Sequence, residues 1–256
     1  MGNLSNKTVI VTGASKGIGA ATARLMLAAG AQVIAHYGKD RDGAEQAVAA
    51  APERAILLKA DFAEMSEVDS FWDEALGAAH GRVDVLVNNA AVMHQTGGIS
   101  DPIEEWETVW SETIEVNVQA PARLMRHAVR RWLDYSEPGA VIGIGSWVGT
   151  RGTANPAAIA YAASKAAIAA ATKTVARNYA SKGILAYIIA PGVVRTRMSV
   201  ESAARTGGEA AVTATLPMEE WVPPDEIGEL AVFLAEGRAR HLTGATIDIN
   251  GAAYIR

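Results

Sequence analysis

The chain has 256 residues, half of them hydrophobic, with 24 glycines, no cysteine and a formal net charge of −5. The acidic balance argues against a nucleic-acid surface, and the missing cysteines exclude a disulfide framework and thiolate chemistry. No linker, charge block or composition shift divides the chain, and no apolar run is long enough to span a bilayer, so a single cytoplasmic domain over residues 1–256 is expected.

In chain order, a β-branched run at residues 8–11 predicts a strand, an Ala/Leu-rich segment at 17–29 a helix, and 32–36 a second strand. The alternation continues with helix 42–50, strand 55–59, helix 65–79 and strand 83–87. The second half repeats it with one long helix at 103–133, strand 140–144, helix 157–181, strand 185–189, helix 225–235 and strand 246–249. Strands alternating with helices imply a parallel sheet covered on both faces. With right-handed crossovers this is a doubly wound α/β Rossmann fold, seven strands in the order 3-2-1-4-5-6-7, whose ligand crevice lies at the carboxyl ends of the strands.

Residues that carry chemistry fall at those ends: Gly13, Asp61, Asn88, Ser146 and Pro191 each follow a predicted strand. Gly13, Gly17 and Gly19 form a glycine-rich turn between the first strand and first helix, where glycine lets the backbone approach a pyrophosphate at a helix N-terminus. Tyr161 and Lys165 stand four apart, on one face of a helix, with Ser146 upstream. A charge at ~4 Å with an effective dielectric of ~20 contributes roughly 4 kcal/mol, or about three pKa units, so a Lys-flanked phenol is expected to trade protons near neutrality. The spacing alone is common, and its ordinary alternative is a half-buried phenol beside a solvated amine. The turn also spells Gly-x-Ser-x-Gly around Ser15, the nucleophile elbow of serine hydrolases. Too little chain precedes it for the rest of that fold, and its partners would have to be Asp225 and His241.

Over essentially its whole length the chain resembles the short-chain dehydrogenase/reductase family. The resemblance rests on Thr12-Gly13-x-x-x-Gly17-x-Gly19, Asp61, Asn88-Asn89-Ala90-Ala91, Asn117, Ser146, Tyr161-x-x-x-Lys165, Pro191-Gly192-x-x-x-Thr196 and Thr243-Gly244, in that order. It implies hydride transfer between a nicotinamide and a ketone or secondary alcohol, similar to 3-oxoacyl-acyl-carrier-protein reductases. Tyr161 would be the general acid/base, Ser146 would hydrogen-bond the substrate oxygen, Lys165 would bind the nicotinamide ribose and lower the Tyr161 pKa, and Asn117 would hold a relay water. Cofactor contacts are implied for Gly13, Ser15, Lys16, Gly17, Ile18, Gly19, Tyr37, Lys39, Asp61, Phe62, Asn89, Ala90, Pro191, Gly192, Val194 and Thr196, as well as Tyr161 and Lys165. Two departures stand out: Ala91 occupies a glycine place, and the interval from Ser146 to Tyr161 is a little longer than usual, the extra length lying in residues 150–158.

Tyr37 stands where NAD-preferring members carry a carboxylate, and Lys16 and Lys39 suit a 2′-phosphate, so NADP(H) is expected ahead of NAD(H). The segment 193–222 reads as a mobile lid. With Met198, Met218 and Trp221 it joins Met93, His94 and Trp147 in either an apolar substrate pocket or core packing; His94, Trp147, Ser146 and Tyr161 are the expected substrate contacts. None of the five histidines has a zinc-like spacing, so no metal is expected. Lys182 and the Arg130/Arg131 pair are the residues that would meet an acidic acyl carrier protein, and the resemblance implies a homotetramer. A sugar or polyol dehydrogenase, a cofactor-binding regulator without turnover and a serine hydrolase are the alternative functions.

Overall fold

A computed structural model describes residues 2–255. The first half runs β1 (Thr8–Val11), α1 (Gly17–Ala28), β2 (Gln32–Tyr37), α2 (Arg41–Val48), β3 (Ala55–Lys59), α3 (Met65–Ala78) and β4 (Val85–Asn88). Then follow α4 (Ile103–Ile114), a π-turn at Glu115–Gln119, α5 (Ala120–Tyr135), β5 (Gly139–Ile144), α6 (Val148–Arg151), α7 (Ile159–Tyr179) and β6 (Ile184–Pro191). The chain closes with α8 (Arg197–Ala203), α9 (Gly208–Thr213), α10 (Pro224–Glu236) and β7 (Thr246–Ile249). All strands are parallel, in the order β3-β2-β1-β4-β5-β6-β7.

Alternation along each strand feeds two apolar layers. Val9, Val11, Val33 and Val87 face one side, where α1 and α10 contribute Met26, Leu27, Ile227 and Leu234. Ile10, Ile34, Leu86 and Val141 face the other, against Phe71 and Trp72 of α3, Leu124 and Trp132 of α5 and Ile168 of α7. Burial on both faces is why the strands read as continuous β-branched runs rather than as alternating ones. Each fully buried aliphatic side chain contributes roughly 1.5–3 kcal/mol. Trp132 also donates its Nε1–H to Val83 O at 2.6 Å, so the one polar atom of the indole is satisfied in the core.

Two segments depart from the sequence reading. The long helix expected at 103–133 is two helices joined by a π-turn. Pro121 explains part of the break: it has no N–H, so the Asn117 carbonyl four residues earlier lacks its ordinary helical donor. The segment 193–222 carries α8, α9 and a small core of its own built on Ala203, Leu216 and Trp221. Trp221 is 2% exposed, donates to Thr213 Oγ1 at 2.8 Å and packs inside this excursion, so its place is core rather than pocket. Met218 lies at the surface, 60% exposed.

Candidate active site

Four strand ends and one face of α7 converge at the carboxyl edge of the sheet. The glycine-rich turn leaves β1 with Gly13 at φ +67 and Gly17 at φ +55, left-handed conformations that a side chain would strain. The turn is held on several sides. Asn89 Nδ2 donates to Thr12 O (2.8 Å) and Gly13 O (3.1 Å), while Thr12 Oγ1 accepts from Asn89 N (2.9 Å) and Ala90 N (3.0 Å). The Gly13 N–H donates to His36 Nδ1 at 3.0 Å. A methyl added at Gly17 would sit 3.0 Å from Thr196 Cγ2, so the segment after β6 lies directly against the turn.

This cradle fits a dinucleotide. Helix α1 starts at Gly17 with no side-chain cap and no acidic residue in its first turn, so its leading amides and positive dipole end face the crevice. Lys16 and Lys39 are exposed beside it. Ser15 Oγ donates to Asp40 O at 2.7 Å, which ties the turn to the start of α2. That bond also answers the hydrolase reading: Ser15 has a main-chain partner, and Asp225 is paired with Arg24 at 2.6 Å. Sequence reasoning missed Arg41. Its guanidinium is held above its ordinary range, first by hydrogen bonding to Glu45 and then by the Tyr37 phenol. Tyr37 itself is buried, and the exposed polar side chains after β2 are Lys39, Asp40 and Arg41, with Asp40 Oδ1 accepting from Gly43 N at 2.9 Å.

Past β3, Asp61 is exposed and its Oδ1 accepts from Ala63 N at 3.0 Å. The Phe62 ring turns inward, 4% exposed, and stacks on His36 at 3.8 Å. Ala91 is absent from the residues with positive φ, so no glycine is required there and the departure from the family pattern leaves the backbone ordinary.

Asn117 sits in the π-turn, 2% exposed. Its Oδ1 accepts from Val92 N (2.8 Å), and its Nδ2 donates to Val92 O (2.9 Å) and Ser164 Oγ (3.0 Å). Ser164 Oγ in turn donates to Tyr161 O at 2.7 Å. The Asn117 side chain thus splices the segment after β4 to α7.

Ser146 follows β5, its Oγ accepting from Val148 N at 3.4 Å, and it lies close enough to Tyr161 to lower that phenol's pKa. Lys165 is 5% exposed, donates its Nζ to Ile144 O at 2.9 Å and lies 5.6 Å from the Tyr161 ring centroid. Burial lowers the ammonium to about 8. Burial also raises the phenol to about 12, against the smaller lowering influence of Ser146. The expected depression of the Tyr161 pKa is therefore reversed in the protein alone, since desolvation of the phenolate outweighs the lowering influence of Ser146, and Lys165 is bonded to Ile144 O. Tyr161 stands as a protonated donor across the neutral range.

Around this centre, Trp147, just before α6, and Arg151 form a cation–π pair at 4.4 Å, and the lengthened segment ends in a turn where Asn155 Oδ1 accepts from Ala157 N at 3.1 Å. His94 Nε2 lies 3.2 Å from Glu112 Oε2. Arg131, proposed for carrier-protein docking, is engaged with Glu137 (3.0 Å), Gly81 O (2.7 Å) and the Tyr135 ring (3.5 Å); Arg130 and Lys182 remain exposed. Thr243 Oγ1 accepts from Ala186 N at 3.0 Å, so the Thr243-Gly244 motif joins β6 to β7. Among the described residues no helix is long and apolar enough to cross a membrane.

Comparison with known proteins gives a consistent picture. The profile of the family described as enoyl-(acyl carrier protein) reductase matches residues 13–252. A 3beta-hydroxysteroid dehydrogenase 1 of Eggerthella lenta is 36% identical over 258 residues, spanning 97% of this chain and 94% of the relative. The 3-oxoacyl-[acyl-carrier-protein] reductase FabG of Escherichia coli is 34% identical over 256 residues, spanning 99% of each. The crystal structure of a short chain dehydrogenase from Burkholderia cenocepacia in complex with NADP superposes with a TM-score of 0.85 at 30% identity, covering 98% of this chain and 99% of that one.

Proposed function

The chain belongs to the short-chain dehydrogenase/reductase family, and from that premise we propose that it is an NADP(H)-dependent oxidoreductase interconverting a ketone and a secondary alcohol, with Tyr161 as general acid/base. The observation that carries this reading is Tyr161 and the buried Lys165 ammonium one turn apart on α7, with Lys165 bonded to Ile144 O at the end of β5, two residues before Ser146. One relative is named for dehydrogenating a 3beta-hydroxysteroid and another for reducing a 3-oxoacyl group. The two names share the oxidation level at one carbon and differ in everything attached to it.

When bound, NADP(H) supplies or accepts the hydride. The first turn of α1 with Gly13, Gly17 and Gly19 would hold its pyrophosphate, and Lys16, Lys39 and Arg41 its 2′-phosphate. The described neighbour from Burkholderia cenocepacia holds NADP, which supports this choice of cofactor. Negative charge develops on the substrate oxygen during reduction and needs donors already in place. Tyr161 gives its proton to that oxygen, and Ser146 holds it by hydrogen bond. With the phenol at about 12, the acid form is fully populated for this direction. The reverse direction needs the phenolate, which the Lys165 charge favours while that group stays protonated, below about 8. Asn117 is a positioning residue, since its side chain fixes Val92 and the first turns of α7 rather than touching reacting atoms.

A panel of cyclic and linear ketones, 3-oxoacyl thioesters and sugars, assayed with NADPH and NADH, tests the reading. Oxidation of NADPH with stoichiometric alcohol formation supports it; oxidation of NADH alone contradicts the cofactor assignment.

A further inference from the structure

His36 is the one histidine in the strands of the sheet, 3% exposed in the middle of an apolar layer, and the catalytic centre makes no use of it. Both ring nitrogens are occupied. Nδ1 lies 3.0 Å from Gly13 N, a group that can only donate, and Nε2 lies 3.0 Å from Ala60 O, a group that can only accept. These partners dictate the protonation state: Nδ1 bears the lone pair, Nε2 bears the proton, and the ring is neutral. Its plane is fixed by stacking on Phe62 (3.8 Å, 4°) and by the edge of Phe71 at 5.1 Å. Gly13 is the first residue of the dinucleotide turn and sits at φ +67, a conformation with no intrinsic preference in a free chain. Its carbonyl is held by Asn89, and its N–H is held by His36. The Ala14 N–H also donates to His36 O at 2.8 Å, so one residue of β2 fixes two successive amides of the turn.

We propose that His36, as the neutral Nε2–H tautomer, is a positioning residue that locks the glycine-rich turn into its dinucleotide-binding shape and couples that turn to β3 through Ala60. The proposal rests on the cofactor reading above. A proton on the ring would set Nδ1–H against the Gly13 N–H, and the lock would open. The charged group facing the ring is Asp61 at the end of β3; Phe62 and Phe71 cover it otherwise with apolar surface.

The two nitrogens can be tested separately. Asn places its side-chain oxygen where Nδ1 stands, so His36→Asn keeps the acceptor for Gly13 and loses the bond to Ala60. His36→Gln places its amide nitrogen near Nε2 and keeps only the bond to Ala60, and His36→Phe keeps the stack and loses both bonds. Amide hydrogen exchange of residues 13–19 and the Kd for NADP⁺ are measured for each, well below its Tm. We expect His36→Phe and His36→Gln to raise the Kd about tenfold, with faster exchange in the turn, and His36→Asn to recover most of both. A ring that serves only as packing gives the opposite order, with His36→Phe mildest and His36→Asn worst, and that order overturns the proposal. So does a ¹⁵N spectrum of the wild type at pH 7 with the proton on Nδ1, a test independent of variant folding. Wild-type protein that fails to bind NADP⁺ counts against the cofactor reading, whereas the exchange pattern of the turn judges His36 either way.

Discussion

Gly19→Ala tests the cradle at its tightest point. A methyl there would run into the carbonyl oxygen of Gly13 and would lie 2.8 Å from that carbonyl's carbon and 2.5 Å from Asn89 Nδ2. Carbon contacts settle near ~3.5 Å, so the turn must open by most of an ångström, and its obstacles are backbone and a hydrogen-bonded amide rather than a flexible tip. Overpacking of this kind costs about 1–3 kcal/mol, and the Asn89–Gly13 hydrogen bond adds about 1 kcal/mol if it breaks. If restoring the turn for binding takes ~2 kcal/mol of this, the apparent Kd for NADP(H) rises ~30-fold. Fluorescence titration with NADPH, alongside thermal unfolding, separates the two effects. A variant that binds NADPH as tightly as wild type would refute the reasoning, since the substituted turn would then accommodate both methyl and nucleotide.

Further outcomes follow from other contacts. Asn117→Ala leaves Val92 N, Val92 O and Ser164 Oγ without their partner, so unfolding free energy should fall by roughly 3 kcal/mol and kcat with it; unchanged stability in urea would show that the splice is slack. His36 makes the fold acid-sensitive. Its pKa is lowered from 6.5 to about 4 by burial, so the unfolded chain takes up a proton that the native state refuses. Its contribution is fully present above pH 6.5 and is lost as pH falls toward 4, about 3 kcal/mol in all. Urea unfolding of wild type and His36→Asn across that range should diverge, and parallel curves would contradict the assignment. Lys16→Ala should weaken NADPH about tenfold and leave NADH unchanged; equal losses for both would place Lys16 away from the 2′-phosphate.

The sheet order was legible in the sequence because every strand is buried on both faces and reads as an apolar run, and the crevice followed from the ends of those runs. The pairing of Tyr161 with Lys165 was legible because i,i+4 spacing on a helix survives any packing. Depth was not. Spacing puts Lys165 beside Tyr161 but says nothing of how far the phenol is from water, and burial sets its pKa at about 12. The π-turn was hidden for a similar reason: Asn117 bonds to Val92 and Ser164, partners far away in sequence, and only Pro121 hinted at the interruption. Trp221 and Phe62 carry no periodic signal and turned inward against neighbours that only the fold supplies. His36 looked like an ordinary residue in an apolar strand, and its role appears only when β1 and β2 pair in register and bring Gly13 to its ring.

In the proposed mechanism Tyr161 moves the proton. Single-turnover reduction of a ketone by Tyr161→Phe, with NADPH deuterated at the transferred position to confirm that chemistry limits the rate, tests it most directly. The expected result is a rate lower by about 10²–10⁴ with NADPH affinity nearly unchanged. A wild-type rate with the same isotope effect would contradict it.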